Sequence, residues 1–350
     1  MAVEQRGHAL TPMMSPPLVH RTVAGASVAN FRLGRVQTLS SLSLKAEGGT
    51  IGKVNIGDYP SSTKTTVNGA ISITAGKAGT TTFGTITEVT LAGIVSAQSV
   101  TVQGINKAEI GTVLINSASV CDNAKIYAMV KVATDHVEAH IGRVEVYATG
   151  VTKTGADVAA VSVLSSGPID AVVVSGEAAQ GACAAGLVIT GPVTVVTNTR
   201  DIGSMSILRV ATVTGDATFQ AQGASIRGLV LQPQATKDTL ITGSLKLLTT
   251  ATLSGNISNV NVGPLRQVTG TFLVEAKGGT ITPALVTGSA VPGALGVRFD
   301  GDVSVLAVGA AVAVKIVGAK SVRTRVLPTP VPIQSTCEPQ PNHSNMPYMD

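Results

Sequence analysis

Runs in which every second residue is apolar recur along the chain. They are "SLSLK" from Ser41, "AISIT" from Ala70, "SVTVQ" from Ser99, "MVKVA" from Met129, "AVSVL" from Ala160, "PVTVV" from Pro192, "DATFQ" from Asp216, "SLKLL" from Ser244, "TFLVE" from Thr271 and "DVSVL" from Asp302. Alternation of period two marks an extended strand with one buried side. The first inward residues, Leu42, Ile71, Val100, Val130, Val161, Val193, Ala217, Leu245, Phe272 and Val303, stand 24 to 32 positions apart and 29 on average. Self-similarity at such a period describes a stack of equivalent units.

Each run is followed after 8 to 12 residues by a second pattern, I-G-x-V-x-V, with apolar positions spaced three and then two. It stands at Ile51, Ile110, Ile141, Ile169, Ile202, Ile226 and Ile257, with looser copies at Phe83 and Ile281. A third short element closes the unit: "VNGAI" at Val67, "ITGPV" at Ile189, "VTGDA" at Val213, "ITGSL" at Ile241, "VTGTF" at Val268 and "FDGDV" at Phe299. The central glycine suggests a sharp corner that needs backbone freedom. Three strands per unit predict an all-β fold, a single parallel β-helix (β-solenoid) of about ten coils of ~29 residues with extended N- and C-terminal tails. Ten coils at ~4.8 Å make a rod on the order of 50 Å long. The strict hexapeptide period and the Asp-bearing calcium nonapeptide are both missing from the chain.

The 29-residue coil resembles the right-handed, pectin-lyase-like β-helix, and the glycine and valine texture is similar to that of bactofilin filaments. The likeness covers about Leu33 to Arg325 and implies a fold class without an activity. The expected organisation is an N-terminal tail over 1–21, a partial coil or cap over 22–40, the β-helix over 41–326 and a Pro-rich tail over 327–350. Leu33-Gly34-Arg35-Val36 echoes I-G-x-V, and six prolines lie between Pro328 and Pro347.

Composition narrows the functional classes. Aromatics are 3 %, tryptophan is absent and charged residues are 13 %, so small β-branched side chains must fill the core. The net charge of +5 comes from scattered basic residues, clustered only in "KSVRTRV", so general nucleic-acid binding is not expected. Cys121, Cys183 and Cys337 are far apart, with no CxxC, and suggest neither a disulfide framework nor a zinc site. The first twenty residues lack the apolar stretch of a secretion signal, which suggests a cytoplasmic or virion-associated protein. Val303 to Gly318 is too short for a comfortable membrane span, contains Lys315 and is expected to be two strands.

Candidate chemistry centres on "DHVEAHIGRVEV" from Asp135, where His136, Glu138 and His140 alternate as metal ligands on one strand face would. Alternate side chains on a flat strand stand ~7 Å apart, which suits convergence on one ion poorly. The repeat register also opposes Glu109 to His140 and Lys107 to Glu138, which makes them exposed rungs of opposite charge. These three are the candidates for a metal, and no metal site is assigned. Asp170, Asp201, Asp216, Asp300 and Asp302 fall in different slots of the repeat, unlike the stacked carboxylates of a lyase-like enzyme. With no nucleophile elbow, phosphate loop or Cys-His pair, neither an enzyme nor a cofactor is expected. Aromatics are too few for a sugar groove, and the threonines at Thr80 and Thr197 are not ranked coil on coil.

The reading that accommodates this is a non-catalytic structural protein that self-assembles into a shell, filament or virion component. Its partner would be itself, through coil ends or faces and through terminal tails. The candidate assembly contacts are Arg323 and Arg325, on one side of a final strand, with Pro328, Pro330 and Pro332 in the tail. The alternative is a polysaccharide-binding or polysaccharide-degrading β-helix, lyase-like or tailspike-like, in which folding would gather Asp170, Asp201 and Arg200.

Overall fold

Stacked in register, the alternating runs make a parallel β-helix of three faces. The computed structural model describes residues 3–6, 18–22, 27–34, 38–56, 65–79, 84–92, 94–116, 125–147, 156–175, 187–208, 210–232, 239–250, 255–288, 297–307, 312–317, 319–321 and 334–336. Arg323, Arg325, Pro328, Pro330, Pro332 and the three cysteines lie outside the described residues.

The first face is an eleven-stranded sheet whose strands follow chain order: Leu18–Thr22, Leu42–Ala46, Ala70–Ala75, Ser99–Gly104, Val130–Thr134, Val161–Ser165, Val193–Thr197, Ala217–Ala221, Leu245–Thr249, Phe272–Ala276 and Val303–Ala307. Every pairing is parallel and free of slippage, for example Leu42 with Ile71, Ile71 with Val100 and Val100 with Val130. Ten of these strands are the runs read from the sequence. The eleventh, Leu18–Thr22, pairs with Leu42–Ala46 although it lies within the expected tail. Its register partner for Leu44 is His20, so the apolar alternation that would have revealed it is broken. Val3–Arg6, also in that tail, pairs with Val28–Gly34, and Gln334–Thr336 in the Pro-rich tail pairs with Val312–Val317.

The second face carries the I-G-x-V-x-V strands, from Val28–Gly34 through Thr50–Ile56, Glu109–Asn116 and Ile226–Gln232 to Val312–Val317. Two residues face outward between the isoleucine and the valine, so the strands up to Ile281–Gly288 hold a bulge at the same place and stay in register there, whereas Val312–Val317 has one residue fewer and the register shifts. Register corrects one assignment. The partner of Ile51 is Ile86, not Phe83: Phe83-Gly84-Thr85-Ile86 imitates the I-G-x-V form three residues early. The third face is narrow, with strands such as Thr65–Val67, Leu187–Ile189, Thr239–Ile241 and Val297–Phe299. Strand Ile257–Val268 runs through both, bending near Gly263 (φ 144°), and joins the second and third faces into one 23-stranded sheet. Coil length varies between these two faces, where one residue separates Leu208 from Val210 and eleven separate Ser175 from Leu187.

The core is a set of columns parallel to the rod axis. Nine isoleucines from Ile51 to Ile281 stand one above another, each 1 % exposed or less. Burying each contributes roughly 1.5–3 kcal/mol relative to exposure. Where one column gains volume its neighbour loses it: Phe219 replaces the Val195 and Leu247 of adjacent coils beside Ala217, which replaces Val193 and Leu245. Buried hydroxyls at the end of the first face are partnered, Thr134 with Ser165 at 2.7 Å and Thr249 donating to the Gly255 carbonyl at 2.8 Å. The expected strands within Val303 to Gly318 are present as Val303–Ala307 and Val312–Val317.

The corner glycines before the first face have a cause other than the one read from the sequence. None of Gly215, Gly243, Gly270 and Gly301 is in the left-handed region. A Cβ on Gly243 would lie 2.4 Å from the carbonyl carbon and oxygen of Gly215, and one on Gly301 would lie 2.6 Å from those of Gly270. Coils approach backbone to backbone here, and any side chain would hold them apart.

Candidate functional site

The richest polar chemistry lies along the corner between the first and second faces. The residues immediately before the second-face isoleucines form a column that includes Glu109, His140, Asp201, Ser225, Asn256 and Thr280. Asp201 Oδ1 accepts the Ser225 backbone N–H at 2.9 Å, and Oδ2 accepts from Arg227 Nε at 2.8 Å. Ser225 Oγ accepts the Asn256 N–H at 3.1 Å, and Asn256 Oδ1 accepts the Thr280 N–H at 2.8 Å. Each side chain thus caps the equivalent backbone donor one coil above, as an N-cap oxygen satisfies the first amides of a helix.

The same device recurs before the first face. Asp216 Oδ1 accepts the Ser244 N–H at 2.8 Å, Lys246 Nζ donates to Oδ2 at 2.7 Å, and Ser244 Oγ accepts the Thr271 N–H at 3.2 Å. The Lys246 hydrogen bond, followed by that of Ser244, holds the Asp216 carboxyl below its ordinary value. Sequence reading set Asp201 and Asp216 in unrelated slots. Their common signal is a short polar residue just before a strand's first inward residue.

His136, Glu138 and His140 are not on a strand. Residues 135–140 turn, with the Ala139 N–H donating to the His136 carbonyl at 2.9 Å. His136 Nδ1 accepts the Glu138 N–H at 3.1 Å, and the Glu138 carboxylate is ion-paired with Lys107, as the repeat register predicts. The Lys107 hydrogen bond, with its charge, holds the Glu138 carboxyl below its ordinary value. His140 Nε2 lies 2.8 Å from Asp170 one coil above, not against Glu109. The three candidates therefore face separate partners, and no group of three His, Cys, Asp or Glu suited to a metal occurs among the described residues. Asp170 and Asp201, on successive coils, likewise face different side chains, His140 and Arg227.

The outward side of the first face holds a pattern that sequence reading missed. Ser43, Ser72, Thr101, Ser162, Thr194 and Thr218 rank in one column, interrupted by Lys131. The adjoining column is polar at Lys45, Thr74 and Gln103 and becomes mostly aliphatic further along the rod, with Leu164, Val196 and Leu248 interrupted by Gln220 and followed by Glu275. The signal was present, but it shows only when outward positions are aligned as well as inward ones.

The chain matches no protein-family model, no curated protein and no solved structure. No helix among the described residues is long and apolar enough to cross a membrane.

Proposed function

We propose that this chain is a non-catalytic structural protein that assembles with copies of itself into a shell, filament or virion component, using coil faces or ends and the terminal tails. The observation that carries this reading is the use made of polar side chains. Asp201, Ser225, Asn256, Asp216, Ser244, Lys107 and Glu138 bond one coil to the next, and they do not converge on a common point where a substrate could sit. Such a ladder stiffens a rod. Coil ends serve the same reading, because an unpaired strand edge offers a row of backbone donors and acceptors of the kind that recruits another chain. In this reading the coil is of the right-handed, pectin-lyase-like type put to structural use, and Arg323, Arg325 and the prolines at 328, 330 and 332 tie neighbouring rods.

Electron microscopy of the full chain at several concentrations, beside a chain lacking residues 327–350, tests it. Ordered filaments, sheets or shells that are lost without the tail are expected. Isolated rods on the order of 50 Å long in both samples at every concentration overturn it.

A further inference from the structure

We propose that the outward side of the first face is a two-fold interface between two copies of this chain, with the rods antiparallel. The inference specifies the lateral contact of the assembly proposed above and rests on that reading.

From Leu42 onward four charged residues point outward from this face: Lys45, Lys131, Lys246 and Glu275. Two are neutralised within the chain, Lys45 by Glu47 at 3.0 Å and Lys246 by Asp216 at 2.7 Å. Lys131 and Glu275, opposite in sign, have no ion-pair partner among the described residues. Between them lie Leu164, Val196 and Leu248, aliphatic side chains interrupted by Gln220, on the outer surface of a sheet whose inner surface is already filled.

These residues are placed symmetrically. Lys131 is on the fifth strand of the face and Glu275 on the tenth, ~24 Å apart. A two-fold axis parallel to the strands, between the seventh and eighth, sets the fifth strand over the partner's tenth and the sixth over the partner's ninth. Leu164 then meets the partner's Leu248, and Thr194 meets the partner's Thr218. Lys131 comes within one pleat, ~7 Å, of the partner's Glu275, which its four-carbon stem spans, and the symmetry makes this pair twice. Eight strands of five residues overlap, on the order of 600 Å² from each copy and 1,200 Å² in total, the lower end of specific interfaces. The strands Leu42–Ala46 and Ala70–Ala75, whose outward residues Ser43, Lys45, Ser72 and Thr74 are polar, fall outside the overlap.

Charge reversal in the full chain tests this, with mass read by sedimentation across a concentration series. Lys131→Glu and Glu275→Lys are each expected to weaken pairing at least about tenfold, because each places like charges together twice. The double swap restores it. A second readout does not depend on charge: a chain with Leu164→Cys and Leu248→Cys is expected to give an oxidised covalent dimer, whereas Ser43→Cys, outside the overlap, is not. Single reversals that leave the mass unchanged, or a double swap that fails to restore pairing, overturn the interface even if large assemblies persist by another contact. Discrete pairs that never grow further support the interface while removing the shell or filament. A chain that is monomeric throughout removes both.

Discussion

At the corner entering the first face, Gly215, Gly243, Gly270 and Gly301 let the carbonyl of one coil occupy the space where the next coil would carry a Cβ. At the corner leaving it, Asp201, Ser225 and Asn256 fill the corresponding gap with side-chain oxygens that accept backbone N–H groups. Both corners must hold coils at strand spacing where regular pairing is interrupted. The first does so chiefly by removing side chains so that backbone meets backbone directly, as in the Gly270 N–H to Gly243 carbonyl bond at 3.0 Å, with the Asp216 and Ser244 caps beside the glycines. The second does so by inserting a polar atom between the coils. A contact that depends on the absence of atoms is intolerant of any substitution, whereas a capped contact degrades by one hydrogen bond at a time.

The sharpest break in that comparison is Gly243→Ala. Its methyl group meets unyielding backbone at 2.4 Å, so a loss of about 2–3 kcal/mol in unfolding free energy is expected by denaturant titration. Ala159→Gly, in the same column, costs about 0.5–1 kcal/mol, the usual entropic penalty of glycine. Equal losses at the two positions would show that close approach is not what selects glycine.

Next in size is Asn256→Ala, which removes the acceptor for both the Thr280 amide and its hydroxyl. About 1 kcal/mol is expected, with faster hydrogen exchange at the Thr280 amide than in the parent protein. Unchanged exchange there would mean that water replaces the cap without cost.

Asp216→Asn acts more weakly, by less than about 1 kcal/mol near neutral pH, since the carboxylate is substantially exposed. Its signature is in acid. Because the folded carboxyl lies below its ordinary value of 3.8, its stabilisation is complete above that value and lost as pH falls through the lower folded one. The variant should therefore show a flatter stability profile than the parent below about pH 4. A parallel acid limb in both proteins would assign the loss to other carboxylates. Smallest of all is the effect of Glu138→Gln, which breaks a surface pair with Lys107 and should leave the melting temperature unchanged. Added zinc should leave it unchanged too, because His136, Glu138 and His140 serve different partners.

What could be read along the chain divides in the same way. The inward columns were legible because alternation repeats wherever a strand is half-buried, so Leu42, Ile71 and Val100 announced one another before folding brought them together. Legibility failed where a local pattern was shared by two registers, as at Phe83 and Ile86, or where a polar residue interrupted the alternation, as at His20. The charged corner was half legible. Coil-on-coil alignment found Lys107 opposite Glu138 but set His140 against Glu109, since it compared equivalent slots, whereas the observed pair with Asp170 runs diagonally across two.

Sequence alone determined that this protein is a stack of three-stranded coils with an aliphatic interior, because burial of one strand side imposes period two and stacking imposes a period near 29. Tertiary structure decided what the polar residues do. Whether an aspartate caps a neighbour, a glycine admits a carbonyl or a histidine turns away from a metal depends on the offset between coils. That offset is a distance across the stack, and no single coil contains it.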